Sequence, residues 1–252
     1  MLAHRRSGGG LHHDAEHGRE VYQTSTMGAL LDGVYDGDVT VAELLRHGDF
    51  GLGTFNGLDG EMLVLDGVCY QLRADGSASV ADADECTPFA TVTWFSPDHV
   101  LDVRVPTDRP TLLGLIDAAT QGPNLIYAIR VTGRFESLRT RTVSAQHQPY
   151  PPLLQATAGQ QESEFDSVRG TLAGYRMPDY EQGVAVAGYH LHFLDDAHRR
   201  GGHALDYRLA EGRVEISVRS EMHLALPTTA AFLHADLNHA AAVEEIHRSE
   251  GG

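Results

Sequence analysis

Short apolar segments separated by glycine-containing turns recur along most of this chain of 252 residues. The clearest pair is Glu61–Leu65 and Val68–Leu72, which Asp66 and Gly67 connect as a two-residue hairpin. The same pattern predicts further strands at 90–95, 99–105, 125–135, 164–169, 170–176, 184–193, 204–209 and 214–219. Helical patterns are few. The sequence therefore predicts an α+β fold with mixed or antiparallel sheets, few helices, and a metal site on strands of the second half.

The strongest break in the chain is the proline cluster at residues 149–152, which contains Pro149, Pro151 and Pro152. We place a domain boundary there. Residues 1–20, rich in Gly and His, are predicted to be a disordered leader. Residues 21–148 are predicted to form an N-terminal α/β domain with a mixed sheet, and residues 149–252 a β-rich domain that binds metal.

Composition excludes several classes of function. The formal net charge is −16, and an acidic surface repels phosphate backbones, so no nucleic-acid partner is expected. All 19 basic residues are arginine. Without a lysine amine, the chain cannot form the Schiff base that pyridoxal phosphate chemistry needs, and it cannot carry a Walker-type phosphate loop.

The expected compartment is the cytoplasm. No apolar run approaches the roughly 18 residues needed to cross a membrane, and no apolar segment follows the two N-terminal arginines as in a secretory signal. Cys69 and Cys86 are the only cysteines, which is too few for a disulfide framework or a cysteine-based zinc site.

Three histidines point to a metal centre. His190 and His192 are two residues apart in a predicted strand, so both side chains project from the same face. His203 begins the next strand and could return beside them across a hairpin. His198 competes as the third ligand, although it lies in a polar turn. Three neutral imidazoles with one open position suit Zn²⁺. Such a triad also fits a metal-dependent hydrolase, a cupin-like oxygenase or a non-enzymatic metal-binding protein.

The motifs around these histidines resemble those of the α-acetolactate decarboxylases over nearly the whole chain from Val21 onward. The blocks that carry the resemblance are QTSTMGALLDGVYDGD at 23–38, HGDFGLGTFNGLDGEM at 47–62, TPFATVTWF at 87–95, YAIRVTGRFESLRTRTV at 127–143, QPYPPL at 148–153 and GYHLHFLDDAHRRGGHALD at 188–206.

This resemblance implies metal-dependent decarboxylation of (S)-2-acetolactate to (R)-acetoin and CO2, on the way to butanediol. It implies one Zn²⁺ per chain, held by His190, His192 and His203, with neither pyridoxal phosphate nor thiamine diphosphate. It also implies a homodimer formed by sheet extension. The metal would act as a Lewis acid on the ketone oxygen and stabilise an enediolate.

Four further site residues follow from the same resemblance. Glu61, in the LDGE motif, and Glu250, near the end of the chain, would approach the metal, so the tail of the second domain would return to the active site. Thr54 would line the substrate pocket. Arg141 would be both a catalytic and a substrate-binding residue, able to hold the substrate carboxylate. Arg139 has the same strand parity, and only the motif favours Arg141 over it.

Overall fold

The computed structural model describes residues 18–237. Two large sheets and a short two-stranded sheet make up most of this part of the chain. One large sheet has the order β15-β1-β8-β3-β4-β5-β6. Its strands are β1 (Glu20–Thr24), β3 (Phe50–Thr54), β4 (Glu61–Leu65), β5 (Val68–Leu72), β6 (Ala78–Val80), β8 (Phe89–Thr93) and β15 (Glu221–Ala225). The β1–β15 pair is parallel and the others are antiparallel, which confirms the prediction of a mixed sheet.

The second large sheet has six antiparallel strands. They are β9 (His99–Val103), β10 (Thr107–Asp108), β11 (Ile126–Thr142), β12 (Gln161–Met177), β13 (Gly188–Asp195) and β14 (Gly201–Arg219). The short sheet pairs β2 (Val39–Thr40) with β7 (Cys86–Thr87).

The described residues form five helices, which confirms the prediction of few helices. They are α1 (Met27–Leu31), α2 (Val41–Leu44), α3 (Arg109–Ala119), α4 (Leu153–Thr157) and α5 (Ala230–His234), with single 3-10 turns at Asn56–Leu58 and Asp179–Glu181. Local chemistry fixes where they begin. Thr40 and Glu43 form a capping box at α2, and Asp108 caps α3. Among residues 18–237, no helix is long and apolar enough to cross a membrane.

Four long strands pair in a closed ring. β11 pairs with β12, β12 with β13, β13 with β14, and β14 with β11. The β13–β14 pairing, which closes the ring, runs through residues 192–194 of β13 and 201–203 of β14. Two glycines permit it, because a Cβ at Gly201 would lie 2.3 Å from the Phe193 carbonyl oxygen and one at Gly202 would lie 2.9 Å from that of Arg141.

The glycines within these strands do not interrupt them. We predicted separate strands at 164–169 and 170–176, and again at 204–209 and 214–219, and this was wrong, since β12 and β14 are continuous. Gly133 in β11 lies directly opposite Gly170 in β12 and Gly212 in β14. A Cβ at Gly170 would meet the Phe193 ring at 2.6 Å, so this row of glycines gives space to neighbouring side chains rather than a turn.

The apolar core has two main layers. One packs α3 and the inner face of the ring around residues such as Ile116, Phe135 and Phe193. The other lies between the two large sheets and includes Leu52 and Tyr175. The second layer fixes the position of β13 against the seven-stranded sheet.

The predicted domain boundary between residues 148 and 149 falls between β11 and α4. Both large sheets contain strands from either side of it. Of the predicted leader, residues 1–17 lie outside the described residues, and β1 already begins at Glu20.

Candidate metal centre

The alternation of β13 separates polar from apolar side chains. Leu191 and Phe193 pack into the core beneath the ring. His190 and His192 project from the opposite face, toward the seven-stranded sheet, and their Nε2 atoms are 3.1 Å apart. The two imidazoles predicted from strand parity therefore share one side of the sheet.

The ring closure brings the third histidine to this pair. His203 is the residue directly opposite His192 across the β13–β14 pairing. One potential ligand atom from each of His190, His192 and His203 lies within 4.8 Å of the others. His192 and His203 are buried, and His190 is partly exposed, so one side of the group remains open to an incoming molecule.

The orientation of His192 is set by the neighbouring sheet. Its Nδ1 lies 2.8 Å from the Met62 carbonyl oxygen in β4. A carbonyl oxygen can only accept, so Nδ1 carries the proton and donates it. In the neutral ring the lone pair then lies on Nε2, which faces the other two histidines. Metal-bound histidines characteristically make such a contact through their second nitrogen, and this donor set fits a divalent metal ion.

His190 is in the protonation state that a metal needs. Burial, with the Arg141 guanidinium as a second cause, lowers the pKa of His190 from its usual 6.5 to about 3. The imidazole is therefore neutral near neutral pH, which is the ligating form.

The two candidate arginines of β11 have different surroundings. Arg141 is only 4% exposed, lies opposite His203, and donates from Nη1 to the Gln160 side chain at 2.9 Å. Arg139 is exposed and ion-paired with Glu162 at 3.5 Å. The β11–β14 register shifts between Arg139 and Thr140. Such a bulge changes the cross-strand environment of side chains on either side of it.

Thr54 in β3 and Glu61 in β4 are cross-strand neighbours. A Glu61 carboxylate oxygen lies 3.7 Å from His192 Nε2. The Thr54 hydroxyl donates to the Gly60 carbonyl oxygen at 2.8 Å. Its single proton is thus committed, and its oxygen can only accept a further hydrogen bond.

These residues line one cleft. His190, Arg141, Glu61 and Thr54 form its polar side. The rest of the lining is mainly apolar and was not predicted as part of the site: Met27, Leu30, Leu58, Phe89, Val143 and Leu153. All six lie inside the resembling sequence blocks, which is the signal that could have identified them.

Two other residues were sequence candidates for this site. Glu250 lies outside the described residues. His198, the competing third ligand, is exposed, and its Nδ1 is 2.9 Å from the Tyr70 hydroxyl. It is not a member of the three-histidine group.

Three comparisons relate the chain to known proteins. The family model described as alpha-acetolactate decarboxylase matches residues 21–239. A relative from Methylococcus capsulatus, named alpha-acetolactate decarboxylase, is 47% identical and covers 93% of this chain and 90% of its own length. The relative of the same name from Bacillus subtilis is 44% identical, covering 92% and 91%. A crystal structure of alpha-acetolactate decarboxylase from Bacillus subtilis superposes with a TM-score of 0.91 at 43% identity, covering 92% of this chain and 100% of that one.

Proposed function

This chain belongs to the alpha-acetolactate decarboxylase family, and on that premise we propose that it catalyses the metal-dependent decarboxylation of (S)-2-acetolactate to (R)-acetoin and CO2. The observation that carries the proposal is the convergence of three imidazoles at the polar side of a cleft that also contains a buried guanidinium. Zn²⁺ is the proposed ion, one per chain, because three histidines with an open position suit it.

The reaction needs an acceptor for one electron pair. When the bond between the carboxylate and the central carbon breaks, that pair moves toward the adjacent ketone oxygen. The metal ion, held by His190, His192 and His203, would supply the positive charge that stabilises this oxygen. No organic electron sink is then required, in keeping with a chain that contains no lysine.

Arg141 would bind the substrate carboxylate. Its guanidinium is buried, held by Gln160, and borders the same cleft as His190. A planar fork of donors fits a carboxylate through two parallel hydrogen bonds. This contact would fix the breaking bond relative to the metal ligands.

Thr54 and the glutamates would handle the substrate hydroxyl and the proton. Because the Thr54 hydroxyl donates to the backbone, its oxygen is available to accept from the substrate hydroxyl. Glu61 lies close enough to His192 to touch the metal or to transfer a proton to carbon after CO2 leaves. Glu250 is proposed as the second carboxylate at this site.

The decisive experiment measures acetoin formed from racemic 2-acetolactate by the zinc-loaded protein. We expect the wild type and His198→Ala to produce acetoin, and His192→Ala to lose both its metal and its activity. No acetoin from the metal-loaded wild type would reject the proposed reaction. Full activity in His192→Ala would reject the metal assignment while leaving the reaction in place.

A homodimer and a cytoplasmic location complete the proposal. The homodimer rests on the family resemblance. The location is supported by Cys69 and Cys86, which are both free thiols, as is usual in reducing compartments. Light scattering on the purified protein tests the dimer directly.

A further inference from the structure

A strained turn leads directly into Glu61. It lies at residues 56–60, between β3 and β4, and its Leu58 and Gly60 line the cleft together with Glu61. Leu58 has a φ of 55°, a left-handed backbone conformation that residues other than glycine seldom adopt. Such a conformation persists only where surrounding contacts determine it. The contacts that hold this turn therefore bear on the geometry of the site.

Gln71, in β5, makes two of these contacts. It is 1% exposed, and its Nε2 donates to the Asp59 carbonyl oxygen at 2.6 Å and to an Asp59 carboxylate oxygen at 3.1 Å. Its Oε1 accepts a hydrogen bond from the Arg73 guanidinium. A buried amide is tolerated only when its polar atoms are paired, and here both amide protons are directed at one residue of the turn.

The strand pairing places Gln71 beside the metal centre without exposing it to the cleft. Gln71 lies directly opposite Met62, and Leu72 lies opposite Glu61, in the β4–β5 pairing. The Met62 carbonyl oxygen accepts from His192, and the Glu61 carboxylate lies 3.7 Å from His192 Nε2. The pairing with β5 thus restrains Glu61 from its C-terminal side, while Gln71 restrains the turn on its N-terminal side.

Gly60 carries the second restraint from Asp59 to Glu61. Its carbonyl oxygen accepts from the Thr54 hydroxyl at 2.8 Å. A Cβ at Gly60 would lie 2.4 Å from the Leu72 carbonyl oxygen, so this part of the turn is packed directly against the β5 backbone. A displacement of Asp59 would therefore be passed to both Glu61 and the Thr54 contact.

We propose that Gln71 is a positioning residue, which holds Asp59 and thereby fixes the Glu61 carboxylate and the Thr54 hydroxyl at the metal centre. The inference rests on the proposed decarboxylation, in which Glu61 acts beside the metal. The three histidines and Arg141 come from β11, β13 and β14 of the other large sheet. Loss of Gln71 should therefore slow the reaction of bound substrate and leave metal binding and substrate binding largely unchanged.

The test measures kcat and KM for acetoin formation by zinc-loaded Gln71→Met, in which an unbranched apolar side chain removes both hydrogen bonds to Asp59. We expect kcat to fall about tenfold or more, since a displacement of about 1 Å at a reacting centre can cost about 100-fold. KM and zinc content should stay within about twofold of the wild type. Independently of activity, amide hydrogen exchange should be faster in residues 56–61 of the variant.

Ser79→Ala is the matched control. Arg73 also donates to the Ser79 hydroxyl, at 2.7 Å, so this variant removes a hydrogen bond from the same network and keeps the contacts of Gln71 with Asp59. Its kcat and its exchange in residues 56–61 should match those of the wild type.

A charge exchange tests the contact itself. Gln71→Glu places a second carboxylate against that of Asp59 and should lower kcat at least as much as Gln71→Met. Adding Asp59→Asn restores an amide-to-carboxylate hydrogen bond in the reverse direction and should recover about threefold or more of the lost kcat. This comparison decides the question if Gln71→Met does not fold.

The inference and the proposed function fail in different ways. Folded Gln71→Met with the kcat of the wild type, or with KM and zinc content altered as strongly as kcat, would overturn the positioning role and leave the decarboxylase proposal intact. Equal kcat in Gln71→Glu with and without Asp59→Asn would overturn it as well. Absence of acetoin from the wild type would instead overturn the reaction, whatever the exchange experiment shows.

Discussion

Replacing Arg141 tests the assignment that sequence parity left open. In the proposed complex, its guanidinium makes two charge-assisted hydrogen bonds to the substrate carboxylate, each worth about 1.5 kcal/mol or more. Arg141→Gln removes both, so kcat/KM should fall by roughly 100-fold, or about 3 kcal/mol. Arg141→Lys retains the charge but not the fork, and we expect a loss of roughly tenfold.

The same strand offers a matched control. Arg139 is two residues away, carries the same charge, and is exposed in an ion pair with Glu162. Since exposed ion pairs contribute little, Arg139→Gln should keep kcat/KM within about twofold. The assay is initial-rate acetoin formation over a range of acetolactate concentrations. Equal losses in the two glutamine variants, or none in Arg141→Gln, would refute the reasoning.

Three further outcomes are expected. His192→Ala should lower zinc content from one ion per chain to well below half by elemental analysis after dialysis, while His198→Ala, outside the triad, should retain it; equal retention would contradict the site. Gly201→Ala should destabilise the fold by about 2 kcal/mol or more in urea unfolding, because its Cβ would lie 2.3 Å from a backbone oxygen of β13. Gly114→Ala, in α3 with nothing within 4 Å of a new Cβ, should stabilise it by about 0.5–1 kcal/mol. In the metal-free protein, the depressed pKa of His190 means that only the unfolded chain takes up this proton between about pH 6.5 and pH 3. The free energy of unfolding of the metal-free protein therefore decreases as the pH falls below about 6.5. His190→Asn should reduce the slope of unfolding free energy against pH in this range by up to about 1.4 kcal/mol per pH unit.

The sequence was most informative where residues of one chemical type recur at the two-residue period of a β-strand. His190 and His192 are two positions apart, which is sufficient to place both on one face of a strand. The hairpin between Asp195 and Gly201 then predicted the return of His203. The hairpin between β4 and β5 was predicted equally well. Asp66 and Gly67 adopt the positive φ values, 50° and 77°, that a two-residue hairpin turn needs.

Features that depend on pairing partners could not be predicted in this way. The carbonyl oxygen of Met62 that orients His192 belongs to the backbone and has no side-chain signal. The difference between Arg139 and Arg141 arises with a register shift against β14, which only the partner strand defines. Gly170 was interpreted as a turn residue, although a glycine is needed there to make room for the Phe193 ring. Phe193 lies more than twenty residues later in the chain, so the sequence around Gly170 gives no sign of this contact.

The closed ring of β11, β12, β13 and β14 also bears on the order in which the native state is assembled. Pairings between segments distant along the chain are entropically costly and form late. His192 and His203 meet in the hairpin of β13 and β14, which follow one another in the chain, so this pairing is local and can form early. The pairing of β14 with β11, which brings Arg141 opposite His203, joins segments much farther apart in the chain and forms later, so a partly folded chain can present three imidazoles before the buried guanidinium is in place.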